Sequence, residues 1–294
     1  MLSPALLLQF LVSGIGVGCV YGLIGIGFCV IYNASGIVNF AQGGFVMLGG
    51  MVTYVLYARA GLALLPAAII AVMLVAGLGL VVDRLVVRPL WSRKANTFVI
   101  ILATLAVQIV MERATLLLVG DAPKSLPSFT AGGPLRLGPV AVSLQLLWIV
   151  AISLLLIWAL ALFFSRTKTG RAMRACAVDP QAAALLGVPV SRMLAYAFSI
   201  SAGLGAIAGI LITPTQFVAY NLGVPFAISG FIAAIVGGFG NPLGAFLGGI
   251  LLGVTQSIAI VVVGAGYKNV VALSILLLFL LLRPAGILGA RKAS

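Results

Sequence analysis

The chain has 294 residues, of which 63% are hydrophobic and 7% are charged. An ordinary soluble domain carries about 25% charged residues, so a soluble globular protein, a disordered chain, a coiled coil and a disulfide-rich secreted domain are excluded. The net charge of +13 comes from 17 Lys and Arg against 4 Asp and Glu. Because the basic residues fall in gaps between apolar runs, they indicate membrane topology, and we expect no nucleic-acid partner.

Apolar runs long enough to cross a bilayer occur throughout the chain. A spanning helix needs about 20 such residues, and the candidates are 5–32, 62–87, 97–119, 140–164, 194–213, 242–263 and 270–282. Two further stretches, 42–57 and 226–239, are short and rich in glycine, so they are predicted to be tilted, broken or re-entrant. The predicted fold is an all-α polytopic membrane protein with eight or nine membrane segments, in which residues 1–294 form a single transmembrane domain.

Basic residues are distributed unevenly between the gaps. The gaps 84–94 and 165–192 and the C-terminal tail hold 12 of the 17, including Arg291 and Lys292, against four in the gaps of the opposite side. By the positive-inside rule these gaps and the tail face the cytoplasm. The N-terminus then lies outside the cell if both short segments cross the membrane. The apolar run at the N-terminus is predicted to be retained as a membrane helix. The gap 120–139, which is rich in proline and glycine and ends at Pro139, is predicted to be an external loop.

Small residues recur at helical spacing in several of these spans. Gly14, Gly18 and Gly22 repeat every fourth residue, and so do Gly249 and Gly253. This spacing lets two helix backbones approach closely in lipid. It predicts a tight multi-helix bundle, in which such a helix either packs in the core or lines a moving gate.

Polar or glycine-rich stretches interrupt the apolar pattern at 33–44 and at 236–244. Irregular backbone at membrane depth is tolerated only where protein or a water-filled cavity satisfies it, and paired interruptions mark the substrate path of many transporters. A pair of polar turns at the membrane interface is the alternative.

A polar line follows one face of the predicted 97–119 helix. Thr104, Gln108 and Glu112 are spaced four residues apart, so they share that face. An acidic residue within a span is a functional hypothesis by default. Glu112 either lies at the mouth of a path or forms an interfacial structural pair with its neighbour Arg113.

The gap 165–192 contains the signals of a short helix. Asp179 is predicted to cap its N-terminus with Pro180 in the first turn, and Gly187 to end it. Ser191 is predicted to cap the next span. Because a helix this short is not stable alone, it needs a partner surface, either on its own protein or, as we prefer, on a docked soluble subunit.

No pattern typical of an enzyme is present. The sequence has no histidine, no acidic cluster and no Gly-Lys-Ser nucleotide loop, and its three cysteines lack metal or disulfide spacing. We therefore expect no catalytic residue, no metal and no cofactor.

Four stretches, in order along the chain, resemble the permease subunits of bacterial high-affinity ABC importers for branched-chain amino acids. They read GIVNFAQGG (36–44) with MLG (47–49), GRAMRACAVDPQAAALLG (170–187), VGGFGNPLGA (236–245) and RPAGILG (283–289). The resemblance implies a multi-pass protein of the bacterial inner membrane with four kinds of partner. These are a second permease subunit, two cytoplasmic ATPase subunits that hydrolyse ATP, a periplasmic substrate-binding protein, and membrane lipid.

The resemblance also implies two groups of site residues. The candidates for the translocation path are Asn39, Phe40, Gln42, Gln108, Glu112 and Asn241. Within the docking loop 165–192, the candidates for ATPase coupling are Gly170, Arg171, Arg174, Asp179, Leu185, Leu186 and Gly187. Of these, either the two leucines or the two arginines are expected to touch the ATPase. The family commonly carries His-Gly-Glu where this chain has Gln42, Gly43 and Gly44. The expected substrate is a branched-chain amino acid; the alternatives are urea, amides or aromatic acids in the same machine, or a stand-alone secondary transporter.

Overall fold

The computed structural model describes residues 4–138, 140–283 and 285–288. Outside this range lie Pro139, residues 284 and 289 of the RPAGILG stretch, and the basic tail residues Arg291 and Lys292. Within it the chain forms twelve α-helices and a two-stranded hairpin. These are α1 (Pro4–Ser35), α2 (Gln42–Tyr54), α3 (Leu64–Val82), α4 (Arg88–Ser92), α5 (Thr97–Val119), β1 (Leu135–Leu137), β2 (Val140–Val142), α6 (Leu144–Arg166), α7 (Lys168–Val178), α8 (Pro180–Leu185), α9 (Val190–Gln216), α10 (Gly223–Gly237), α11 (Pro242–Val262) and α12 (Lys268–Leu282).

The predicted all-α polytopic membrane fold is confirmed. Seven helical stretches among the described residues are long and apolar enough to cross a membrane, and α10 is a shorter apolar helix. π-helical turns extend α2 over Val55–Arg59 and join α3 to α4 over Asp83–Val87, and a 3-10 turn over Ala265–Tyr267 precedes α12. The α3–α4 span is therefore longer than the predicted span over 62–87.

Two local elements differ from the sequence prediction. The span predicted from residue 140 begins instead with β2, which pairs with β1 in antiparallel register, Leu135 opposite Val142. Helix α6 then starts at Leu144, where the Ser143 side chain accepts a hydrogen bond from the Leu146 N–H. Helix α7 was not predicted, because glycine and three basic residues obscure its short amphipathic pattern.

The core of the bundle is built around α1 and α9. Both are largely buried, whereas α6 and α12 lie at the periphery with most of their surface exposed. The glycine prediction is confirmed where α1 crosses α11: a Cβ atom added at Gly18 would lie 2.7 Å from the Ile250 Cα and 2.8 Å from the Gly249 carbonyl oxygen. Only glycine permits this approach of the two backbones.

The helix ends fall into two sets, at opposite ends of the bundle. At the end we name the loop end, Arg88 donates a hydrogen bond of 2.9 Å to the Ser191 carbonyl, so the basic gaps 84–94 and 165–192 lie together. The other end, named the hairpin end, carries β1 and β2. There Gln9 of α1 donates to the Ala141 carbonyl at 2.8 Å. Helix α1 thus runs from the hairpin end to the loop end.

Candidate functional site

Helices α2 and α10 meet by their N-termini, and the start of α2 is buried whereas Val224 in the first turn of α10 is 42% exposed. A Cβ atom added at Gly223 would lie 2.9 Å from the Gly43 carbonyl oxygen, so the first turns of the two helices are in contact. Residues 36–41 lead from the end of α1 to α2, and 217–222 lead from the end of α9 to α10. Neither N-terminus is capped by a side chain. The positive ends of both helix dipoles therefore meet at this junction, that of α2 in the bundle interior and that of α10 from a partly exposed first turn.

Gln42, the first residue of α2, anchors this junction to α9. Its Nε2 donates to the Ser201 carbonyl at 3.1 Å, and its Oε1 lies 2.7 Å from the Ser201 hydroxyl. That hydroxyl also lies 2.8 Å from the Gly27 carbonyl of α1, so its single proton serves one acceptor at a time. Ser201 lies about 17 Å along α9 from Val190. Gln42 is therefore fully buried near the middle of the bundle.

The segment before α2 is held by polar groups from two sides. The Asn39 side-chain oxygen accepts from the Ala41 N–H at 3.1 Å, and the Thr104 hydroxyl of α5 accepts from the Phe40 N–H at 3.1 Å. The Phe40 ring packs against Phe28 of α1 and Phe231 of α10. These contacts satisfy part of the non-helical backbone that enters the bundle here.

Gln108 of α5 lies against both half-helices. A Cβ atom at Gly44 would lie 2.9 Å from its Oε1, and one at Gly223 would lie 2.6 Å from its Nε2. Its Nε2 donates to the Glu112 carboxylate at 2.9 Å, which confirms that the two share a helix face. Among the described residues Glu112 forms no ion pair with Arg113. The alternative interpretation of Glu112, an interfacial structural pair with Arg113, is therefore not seen among these residues.

Two buried polar atoms of this junction have no hydrogen-bond partner in the described part of the chain. They are Asn39 Nδ2, a donor, and Gln108 Oε1, an acceptor. An unpaired buried polar group costs about 1–3 kcal/mol. Asn39 and Gln42 are fully buried and Gln108 is 2% exposed, so in this conformation the junction is closed. The junction can offer a passing solute a donor, an acceptor and two helix N-termini.

Asn241 does not belong to this junction. Its side chain caps α11, accepting from the Gly244 N–H at 3.1 Å and donating to the Leu288 carbonyl at 3.1 Å. The interruption at 236–244 is a turn at the loop end, with Gly238 and Gly240 at positive φ. A further break, 217–222, which sequence reasoning missed, runs from the exposed Phe217 and from Val218, which pairs with Lys124, to the buried Gly223 at the start of α10. The interfacial-turn alternative thus holds for 236–244, whereas 36–41 enters the bundle.

The docking loop consists of two helices laid against the loop end. Gly170 of α7 lies against the Phe163 and Phe164 backbone of α6, where a Cβ atom would collide. Asp179 caps α8 by accepting from the Gln181 and Ala182 N–H groups at 2.8 and 3.0 Å, as predicted. Gly187 ends α8 with φ +81°, also as predicted.

The predicted cap at Ser191 is wrong. Helix α9 starts at Val190, so Ser191 lies inside its first turn, and it is the Ser191 carbonyl that accepts from Arg88. The same Arg88 nitrogen forms an ion pair of 2.7 Å with the buried carboxylate of Asp83. This link ties the π-helical turn after α3 to the start of α9. Sequence reasoning missed it, because Arg88 and Ser191 are far apart in the chain.

The outward side of the docking loop exposes three apolar side chains. Val178 is 89% exposed, Leu185 91% and Leu186 84%. Met173, Cys176 and Ala183 are buried beneath the loop. We name Val178, Leu185 and Leu186 the docking patch. Arg171 and Arg174 are both exposed on α7, and Arg174 also lines a recess between the loop and the membrane helices.

Residues 10–282 match the family described as branched-chain amino acid transport system / permease component. The chain belongs to this family. It is 36% identical to the high-affinity branched-chain amino acid transport system permease protein BraD of Pseudomonas aeruginosa, over 96% of this chain and 95% of BraD. It is 31% identical to the corresponding protein LivH of Escherichia coli, over 96% of this chain and 95% of LivH.

A solved structure shares the fold of the chain. It is a chain of PsaBC from Streptococcus pneumoniae, determined in complex with Fab, with a TM-score of 0.53 over 96% of this chain and 93% of that one. The two sequences are 13% identical, so this likeness concerns the fold alone. The family places the chain among multi-pass membrane permeases of transport systems rather than among enzymes.

Proposed function

We propose that the chain is the permease subunit of an ATP-driven importer of branched-chain amino acids in the bacterial inner membrane. It acts with a second permease subunit, two cytoplasmic ATPase subunits and a periplasmic binding protein. Residues 1–294 form one transmembrane domain, and 165–192 form its ATPase-docking loop. The observation that carries the proposal is the docking patch, since a membrane protein with no ATPase chemistry of its own needs a surface on which a motor can act.

The position of the docking patch supports its role. Its three side chains protrude from the loop end, where the basic gaps predict the cytoplasm. Burying a leucine side chain contributes about 1.5–3 kcal/mol. Leu185 and Leu186 together therefore offer a binding energy that no contact within the described chain uses. Three residues hold this surface in place: Gly170 packs against α6, Asp179 caps α8, and Gly187 ends α8.

The junction of α2 and α10 suits an amino acid as cargo. Two half-helix N-termini favour a carboxylate, as they do in other transporters with broken helices. The Glu112 carboxylate and Gln108 Oε1 are acceptors for an ammonium group. The surrounding Phe40, Phe28 and Phe231 rings provide apolar surface for a hydrophobic side chain.

A physical route connects the docking loop to the junction. Helix α8 leads directly into α9, the Arg88 hydrogen bond fixes the start of α9 to the α3–α4 span, and α9 carries Ser201 against Gln42. Movement of the loop on ATP binding would shift α9 and so change the contacts that close the junction. Transport requires two such states with different affinities for the solute.

Reconstitution tests the proposal directly. The tagged chain is purified with the subunits that accompany it, and the complex is placed in proteoliposomes with its binding protein. We expect ATP-dependent uptake of radiolabelled leucine, isoleucine or valine. Uptake of urea or an aromatic acid instead would refute the substrate class. Accumulation by the chain alone under an ion gradient would refute the ATP-driven machine and favour a secondary transporter.

A further inference from the structure

A recess of about 590 Å³ lies at the loop end, between the peripheral helix α6 and the helices α1, α7 and α11. Its polar end is formed by Arg174 of α7, Asn33 of α1 and Asn241 of α11. The accessible apolar wall includes Ile157, Leu160, Phe164 and Leu243, whereas Ile26 and Val30, which also line the recess, are almost fully buried. The recess thus has a charged end at the docking loop and a hydrocarbon wall that follows the membrane helices.

The depth of the recess corresponds to part of one bilayer leaflet. Ile157 and Phe164, which line the recess and are partly exposed, are seven residues apart on α6, which is about 10 Å along the helix. Half of the hydrocarbon core of a bilayer is about 15 Å thick. Since α6 is mostly exposed on its outer side, the recess lies where lipid chains reach the protein.

Arg174 supplies a positive charge that nothing in the described chain neutralises. It forms no ion pair with any described residue, whereas Asp83 is already paired with Arg88. The amide groups beside it are occupied, since Asn33 donates to the Gly240 carbonyl at 2.7 Å and Asn241 caps α11. A guanidinium above an apolar wall is complementary to a negatively charged head group with an acyl chain.

We propose that this recess binds one anionic phospholipid of the cytoplasmic leaflet. Its phosphate pairs with Arg174, and an acyl chain lies along Leu160 and the neighbouring wall. The lipid would thereby join α7 of the docking loop to α1 and α6. Arg174 thus faces a lipid, in contrast to the expectation that it touches the ATPase.

The test measures lipid retained by the purified, assembled complex. The complex is stripped of lipid in mild detergent and offered phosphatidylglycerol or phosphatidylethanolamine, and bound lipid is counted by native mass spectrometry. We expect phosphatidylglycerol to be retained in preference, and Arg174→Gln to lower its retention about fivefold, as expected for one basic residue. Arg166→Gln is the matched control, because Arg166 ends α6 outside the recess and the charge change is identical.

A second variant separates the wall from the charge. Leu160→Trp fills the apolar part and keeps Arg174, and we expect it to lower retention of phosphatidylglycerol as well. All variants are compared at equal yield of assembled complex. Equal retention by wild type and Arg174→Gln, or an equal loss in Arg166→Gln, would overturn the proposal.

Two further outcomes identify other occupants of the recess. Displacement of the lipid by soluble glycerol phosphate would show that the site recognises a free phosphate and would also overturn the proposal. If the assembled complex retains no phosphatidylglycerol whereas the chain alone does, a protein subunit covers the recess, and the proposal is likewise wrong.

Discussion

Replacing Leu185 with serine tests the docking patch without disturbing the fold. The side chain is 91% exposed at the end of α8, so we expect the folded chain to keep its stability within about 0.5 kcal/mol. If an ATPase groove buries this leucine, its loss costs the complex about 1.5–3 kcal/mol. That free energy corresponds to a decrease in affinity of about 10- to 100-fold.

The assay measures association of the ATPase subunits with the purified permease complex by surface-immobilised binding, with ATP-driven uptake measured in parallel. Leu135→Ser is the matched control, because Leu135 is a 47% exposed leucine in β1, at the opposite end of the bundle. We expect it to leave ATPase affinity unchanged. If Leu185→Ser binds the ATPase as tightly as the control does, the docking patch is not the contact surface.

Three further predictions address the junction, the packing and the loop. Gln42→Leu, which removes the hydrogen bonds between Gln42 and the Ser201 carbonyl and hydroxyl, should lower the midpoint of thermal unfolding and abolish uptake; unchanged uptake would remove Gln42 from the path. Gly18→Leu should prevent recovery of folded chain by size-exclusion chromatography, whereas Gly77→Leu, at a position where an added Cβ atom meets nothing within 4 Å, should be recovered like wild type. Leu186→Cys should react with a membrane-impermeant maleimide in inside-out vesicles and be protected by the ATPase. Native Cys176 should not react, since burial raises the pKa of its thiol.

Local signals in the sequence predicted several features correctly. Asp179 followed by proline predicted the cap of α8, and Gly187 predicted its end, because both depend on a few neighbouring residues. The four-residue spacing of glycine predicted close helix packing. The long apolar runs predicted the spans, since the bilayer imposes a minimum length on any helix that crosses it.

Features that depend on distant residues were not predictable in this way. Two hydrogen bonds join segments far apart in the chain, that between Gln42 and Ser201 and that between Arg88 and Ser191. The break at 217–222 was missed as well. Only the structure shows what is contacted by the residues that replace the His-Gly-Glu pattern in this chain. There Gln42 bonds to Ser201, and Gly44 leaves room for the side chains of Met111 and Gln108.

By itself the sequence determined that the protein is a helical membrane protein with a short capped helix in the gap 165–192, because apolar length and capping are properties of contiguous residues. Its four motif stretches determined the resemblance to importer permeases. Only the tertiary structure decided which interruption enters the bundle and which is a turn at its end, since both read as glycine-rich breaks. It also decided that Asn241 is a helix cap and that Arg174 faces a recess. The reason is that the direction of a side chain depends on helices contributed by remote parts of the chain, whose packing no local pattern encodes.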